Sequence, residues 1–119
     1  VLAHEPLIRL NYRGLERSDD GNASYFDGRQ RTKIYGSLLT ENIVQCLHRL
    51  IVGSQLLEIS ELCPVKLWPY DELVVVVPED AAQMVLQFMI QVMKKTPDWA
   101  KGLPLTAEGG TGSTYAEAK

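Results

Sequence analysis

Four consecutive valines, Val74, Val75, Val76 and Val77, stand between a pair of carboxylates, Asp71 and Glu72, and Pro78. β-Branched side chains lose rotamer freedom in a helix and suit a pleated surface, and the apolar run that begins at Leu73 is too short for a buried helix. Pro78 has no backbone donor and ends the run. Residues 73–77 are therefore predicted to form a strand. Just upstream, "CPVKLWPY" offers a second apolar segment, which Pro64 and Pro69 restrict to an edge-like or irregular strand. Together the two segments predict a hairpin whose bend or flank carries Asp71 and Glu72.

The remaining elements follow from periodicity. In "EDAAQMVLQFMIQVMKK" the residues Ala81, Met84, Val85, Phe88, Met89 and Val92 line one helical face, with acids at the start and lysines at the end to complement the dipole. "SLLTENIVQCLHRLIVGSQLLEISEL" reads as one long helix with Thr40 as its N-cap and Glu41 in its first turn. On that helix Ile43, Leu47, Leu50, Ile51 and Leu57 are predicted to face a core, and Asn42, Gln45 and Arg49 to form a polar stripe. "PLIRLNYRGLE" reads as a strand, "RSDDGNAS" as a surface loop, and "SYFDGRQRTKIY" as a hairpin turning at Asp27 and Gly28. A last short strand is expected around "LPLTAE". Hairpin, helix, hairpin, helix and final strand make an α+β fold, with helices packed on one face of an antiparallel sheet.

At 119 residues the chain has the length of a single domain. No apolar run approaches the roughly 18 residues that span a bilayer, and the start "VLAHEPLIRL" lacks the parts of a signal peptide. Because no initiator Met is present, the chain is expected to be trimmed at its front. Cys46 and Cys63 are too few for a disulfide framework or a Cys-based zinc site, and as core thiols they suit a cytoplasmic location. The formal net charge of −3 argues against gripping nucleic acid by bulk electrostatics. Arg29, Arg31 and Lys33 alternate, and their spacing favours a solvated strand face. Asp19, Asp20 and Asp27 have turn and capping work available. His48 is a polar-edge residue with no partner at ligand spacing, and His4 sits near the terminus. "EGGTG" has neither the flanking elements nor the lysine of a phosphate loop.

The chemistry then centres on Asp71 and Glu72. They are either hairpin-turn residues in water, or carboxylates on a rigid hairpin suited to a hard cation such as Mg²⁺, which takes oxygen ligands. Two-metal phosphoryl or nucleotidyl transfer needs such an acid together with a second carboxylate from another segment.

These residues resemble a known family. "YDELVVVVPED" resembles motif C of the family A DNA polymerases, a His, Asp, Glu triplet at a palm hairpin followed by an apolar strand and a "PE" helix start. "KIYGSLLTENIVQCLHRLIV" is similar to the helix that follows the fingers in phage-type members, commonly "YGGKLTENIVQALAR". "TPDWAKGLPLTAEGGTGSTYAEAK" resembles their closing segment, where W, GLPL, EG, Y and K recur, and "PLIRLNYRGLE" looks like an eroded form of their "LPSGRxLxY" strand. The likeness is collinear over most of the chain. It implies that Asp71 is the metal-binding palm aspartate, that Glu72 supports the catalytic site, and that Gln45 approaches the primer-template minor groove with Asn42, Glu41 and Arg49 nearby. Minor-groove acceptors are largely shared between base pairs, so a polar helix stripe would grip them without regard to sequence.

Two departures shape the expectation. Tyr70 stands where the family usually has His near the primer terminus, so aromatic stacking would persist with altered hydrogen bonding. Motif A, with the other metal aspartate, and the fingers would lie before Val1. The resemblance thus implies the C-terminal part of a polymerase palm, natural or trimmed, in a bacterial or phage-infected cytoplasm. Its complete enzyme would use Mg²⁺, primer-template DNA, deoxynucleotides and the missing N-terminal palm and fingers, and the isolated chain is expected to be inactive. The alternative is a non-catalytic α+β module that has kept the palm scaffold and binds a protein partner.

Overall fold

A computed structural model describes residues 9–19 and 21–118. His4, Asp20 and residues 6–8 of the first expected strand lie outside these described residues. The chain divides into two compact units, Val1–His48 and Arg49–Lys119.

In the first unit, β1 (Glu16–Arg17), β2 (Ala23–Phe26) and β3 (Arg31–Ile34) form an antiparallel sheet in the order β1-β2-β3. The first strand is far shorter than expected, because residues 9–13 carry no ladder and only Glu16 and Arg17 pair, with Ser24 and Ala23. The β2–β3 hairpin turns through residues 27–30 as its Asp-Gly signal predicts. Asp27 Oδ1 accepts the backbone N–H groups of Arg29 and Gln30 at 2.8 and 2.9 Å, and Oδ2 accepts the Thr32 hydroxyl at 2.7 Å. Gly28 takes φ +104°, a conformation L side chains avoid. The Gln30 and Thr32 hydrogen bonds, with that from Arg29, hold the Asp27 carboxyl below its usual range. The expected basic ridge is split. Arg29 lies in the loop, while Arg31 and Lys33 are on the exposed side of β3, where Arg31 donates to the Gly14 carbonyl at 3.1 and 3.2 Å and pairs with the Glu16 carboxylate.

Helix α1 spans Gly36–Leu62. It starts a turn earlier than predicted, so Thr40 is not the N-cap and Glu41 is not in the first turn. The Thr40 hydroxyl instead donates back to the Gly36 carbonyl at 2.9 Å, the bonding a mid-helix threonine uses.

In the second unit, β4 (Val65–Leu67) and β5 (Val74–Val75) form a two-stranded antiparallel ribbon, with an irregular register between Val65 and Leu67. A 3-10 turn, Glu79–Ala81, leads into α2 (Ala82–Met93). Glu79 and Asp80 occupy that turn, where carboxylates offset the helix dipole, and Lys94 and Lys95 follow the last turn. The core joins Val52, Ile59 and Cys63 to Leu73 and to Val85, Met89 and Val92 of α2, with Val65, Trp68, Val75 and Phe88 packed against it. Burial pushes the Cys63 thiol pKa up, and Cys46 is half-buried; both are free.

Two corrections concern register. On α1 the buried set is Ile51, Val52, Gln55 and Ile59, whereas Leu57 is 68% exposed and Ile43 and Leu47 are over 40% exposed. Leu57 is two residues from both Gln55 and Ile59, roughly 200° round the helix from each. Gln55, for which the apolar pattern made no prediction, is buried instead, and its Nε2 donates to the Met93 carbonyl at the end of α2, 2.9 Å away. On α2 the stripe is narrower than predicted, since Met84 is largely exposed.

A third correction concerns the sheet. The fold is α+β, but its strands form two small antiparallel sheets rather than one sheet with helices on one face. Among the described residues the "LPLTAE" segment forms no strand. Leu103 instead closes a turn through its N–H to the Ala100 carbonyl at 2.9 Å and its carbonyl to the Thr96 hydroxyl at 2.9 Å, and Pro104 has no N–H to give a ladder. No helix among the described residues is long and apolar enough to cross a membrane.

Two outcomes follow from this packing. In urea unfolding, Ile59→Ala will cost about 2–5 kcal/mol, the range for emptying a filled core position, and Leu57→Ala less than about 0.5 kcal/mol. The depressed Asp27 pKa means that its carboxylate stabilises the β2–β3 turn fully above the ordinary aspartate value and loses that contribution as pH falls through the lower folded value. Amide shifts of Arg29 and Gln30 followed from neutral to strongly acidic pH will report this loss, and Asp27→Asn will abolish the titration.

Candidate functional site

The two acids do sit at the bend of the β4–β5 hairpin. A tight turn covers residues 69–72, closed by the Glu72 N–H to the Pro69 carbonyl at 3.0 Å. Pro69 supplies a fixed φ at its start. Tyr70 follows with φ +53°, the left-handed region, which costs an L residue about 1–2 kcal/mol and is rare for a bulky aromatic. Its side chain is 88% exposed, so no packing energy of its own offsets that cost.

Trp68 holds the turn in place. Its indole N–H donates to the Tyr70 carbonyl at 2.9 Å, and the Arg49 guanidinium lies 3.5 Å from the centroid of its ring. An indole face is the best aromatic partner for a cation, and the stack is worth about 0.5–2 kcal/mol. On the other side of the turn Leu73 enters the core, 9% exposed. The bend is thus pinned at residues 68 and 73, with three side chains, Tyr70, Asp71 and Glu72, directed to the exterior.

The neighbouring acids differ. Glu72 accepts the phenol O–H of Tyr115, which reaches it from the closing segment. Asp71 is exposed, and none of the described residues hydrogen-bonds its carboxylate. Among the described residues no three His, Cys, Asp or Glu side chains gather into a group that could hold a metal ion. Asp71 offers a hard oxygen ligand of the kind Mg²⁺ takes, one or two carboxylates being its usual share from protein beside waters and substrate phosphates.

The other candidates lie on α1. In the first unit the Gln45 side-chain amide donates to Glu41 one turn earlier at 3.0 Å, a pair exposed on the helix surface. The Asn42 amide donates to the Tyr12 hydroxyl at 3.0 Å, and Tyr12 packs edge-to-face on Tyr25 with centroids 5.0 Å apart. Asn42 therefore ties α1 to the segment before β1, and its amide is less open than those of an exposed stripe. Arg49, in the second unit, is committed to Trp68. Sequence reasoning missed Trp68 and Tyr115 as the groups that hold the bend. Tyr115 is 43 residues from its partner, and no local pattern signals such a bond.

No protein-family model, curated protein or solved structure matches the chain.

Tyr70→Gly tests whether the turn serves the fold. Glycine adopts positive φ without steric cost, and its greater unfolded-state entropy offsets part of that gain. Urea unfolding is expected to show stability unchanged or raised by up to about 1 kcal/mol; a loss larger than about 1 kcal/mol would mean that the tyrosine side chain supports the fold.

Proposed function

We propose that the chain is the C-terminal palm portion of a DNA-directed DNA polymerase of the family A type, whose complete form transfers deoxynucleotides to a primer 3′ end. The observation that carries this reading is the bend over residues 69–72: an open Asp71 carboxylate at the tip of an antiparallel hairpin, beside an exposed aromatic, in the order that motif C would require. Supporting it is the collinear likeness of "LTENIVQ", "YDELVVVVPED" and "GLPLTAEG" to the phage-type members. In that reading Asp71 is one of the carboxylates of the catalytic centre, Tyr70 offers a flat face near the primer terminus, and the exposed Gln45–Glu41 pair approaches the DNA, with Asn42 and Arg49, held by Tyr12 and Trp68, beside it. Mg²⁺ ions of the complete enzyme would stabilise charge on the reacting oxygens. A second carboxylate and the groups that bind the incoming nucleotide would come from a preceding palm and fingers segment.

A second reading is favoured by the exposed apolar side chains of the second unit. Leu57, Val76 and Met84 are 68%, 71% and 67% exposed, apolar surface that a protein partner, or the rest of a palm, would cover. In that reading the chain is a non-catalytic module that binds a protein partner.

Primer extension separates the two. The chain alone is expected to show none; with a family A segment carrying motif A and the fingers, extension appears. Asp71→Ala in that mixture lowers its rate by about a hundredfold or more, the scale of losing one preorganised charge-stabilising group. Unchanged extension by Asp71→Ala removes Asp71 from the reaction, and extension by the chain alone contradicts the fragment reading.

A further inference from the structure

The closing segment is built, although its composition is that of a loose tail. The backbone N–H groups of Ser113 and Thr114 both donate to Glu117 Oε2, at 2.9 and 3.2 Å, and those of Glu117 and Ala118 return to the Thr114 carbonyl at 3.2 Å. This small capped turn presses on the glycines before it. A Cβ on Gly112 would lie 2.5 Å from Glu117 Cβ, and one on Gly110 would lie 2.8 Å from the Ala118 carbonyl oxygen, so only glycine fits at either place. The segment is also tied to α2. Gln83 Nε2 donates to the Thr111 hydroxyl at 3.2 Å, and a Cβ on Gly109 would touch Leu86 Cδ1 at 3.0 Å. "EGGTG" thus has a packing reason for its glycines, and the turn it supports carries Tyr115.

We infer that Tyr115 is a positioning residue for the acidic bend: its phenol donates to the Glu72 carboxylate, fixes the exit of the turn over residues 69–72, and so directs the adjacent Asp71 side chain. The physical reason lies in the backbone. Glu72 N–H closes the turn at Pro69, so a constraint on the Glu72 side chain acts on the peptide that follows Asp71. On the entrance side Trp68 holds the Tyr70 carbonyl. With both flanks held, the strained φ of Tyr70 has no low-cost way to relax. A hydrogen bond from a phenol to an ionised carboxylate is stronger than a neutral one, which suits it to this task. Adjacent acids therefore divide the work. Glu72 anchors the bend, and Asp71 remains the open carboxylate. The value of this arrangement for nucleotidyl transfer rests on the polymerase reading of Asp71, but the positioning itself does not.

The test uses the 119-residue chain with Tyr115→Phe, Glu72→Ala, Glu72→Gln and the Y115F/E72A double variant, read by amide ¹H–¹⁵N shifts. Y115F and E72A are expected to move the Tyr70 and Asp71 amides in the same direction. The double variant should move them no further than the larger of the two singles. E72Q, whose amide oxygen still accepts from the phenol, should move them less than E72A. Tyr70 and Asp71 amides that stay in place in Y115F, or single-variant shifts that add in the double, overturn the inference. If Y115F lowers the melting temperature so far that its spectrum collapses, the E72A and E72Q comparison decides alone: equal shifts in the two overturn it. In the reconstituted extension assay Y115F should lower turnover by roughly tenfold with primer-template affinity unchanged, the size of effect typical of a group that orients a ligand. Coupled amide shifts with unaltered turnover uphold the positioning and count against the polymerase reading, so the two fail separately.

Discussion

The acidic bend depends on one side chain, Trp68. Its ring is covered by the Arg49 guanidinium and its N–H is spent on the Tyr70 carbonyl, so the indole is held both through its π face and through its only donor. Because Trp68 packs against the core formed by Ile59, Leu73, Val85 and Val92, the hold on the bend is transmitted from the best-buried part of the chain. A two-stranded ribbon with ladder pairs at Val65, Leu67, Val74 and Val75 has little stability of its own. Its shape comes from the helices beneath it and from the tryptophan at its end.

The same core explains Gln55. A buried amide is costly unless paired, and it is retained where it satisfies the Met93 carbonyl left open by the end of α2. One helix thus caps another through a side chain, and the Glu58–Lys95 ion pair adds a second link between α1 and the end of α2. These polar contacts set the register of α1 against α2 in a core that is otherwise shape-tolerant aliphatic packing.

How far the sequence could be read depended on the range of the forces involved. The valine strand, though only Val74–Val75 of the predicted 73–77 pair, the Asp27–Gly28 turn and the long and Met-rich helices were legible because each is written in local chemistry: χ1 restriction, an Asx-type turn, 3.6-residue periodicity. The register of α1 was not, because Leu57, expected to face the core, is exposed while Gln55 is buried against the Met93 carbonyl at the end of α2, a partner 38 residues away. The predicted closing strand failed for a related reason: Leu103 uses its N–H and carbonyl on Ala100 and Thr96, leaving nothing for a ladder. At the candidate site, Asp71 and Glu72 could be placed at a bend from proline and valine spacing alone. That Glu72 is engaged by Tyr115 and Asp71 left open could not, since it depends on two segments meeting across 43 residues.

The proposed polymerase reading turns on whether that open carboxylate meets a cation when the preceding palm and fingers it calls for are supplied. The most direct measurement is Mn²⁺-induced broadening of the isotope-labelled chain, taken with a family A palm-and-fingers segment and primer-template DNA bound. The account predicts that the amides of Tyr70, Asp71 and Glu72 broaden first and at the lowest Mn²⁺ concentration. Broadening that spares these residues and falls instead on Glu79, Asp80 or Asp98 would contradict it.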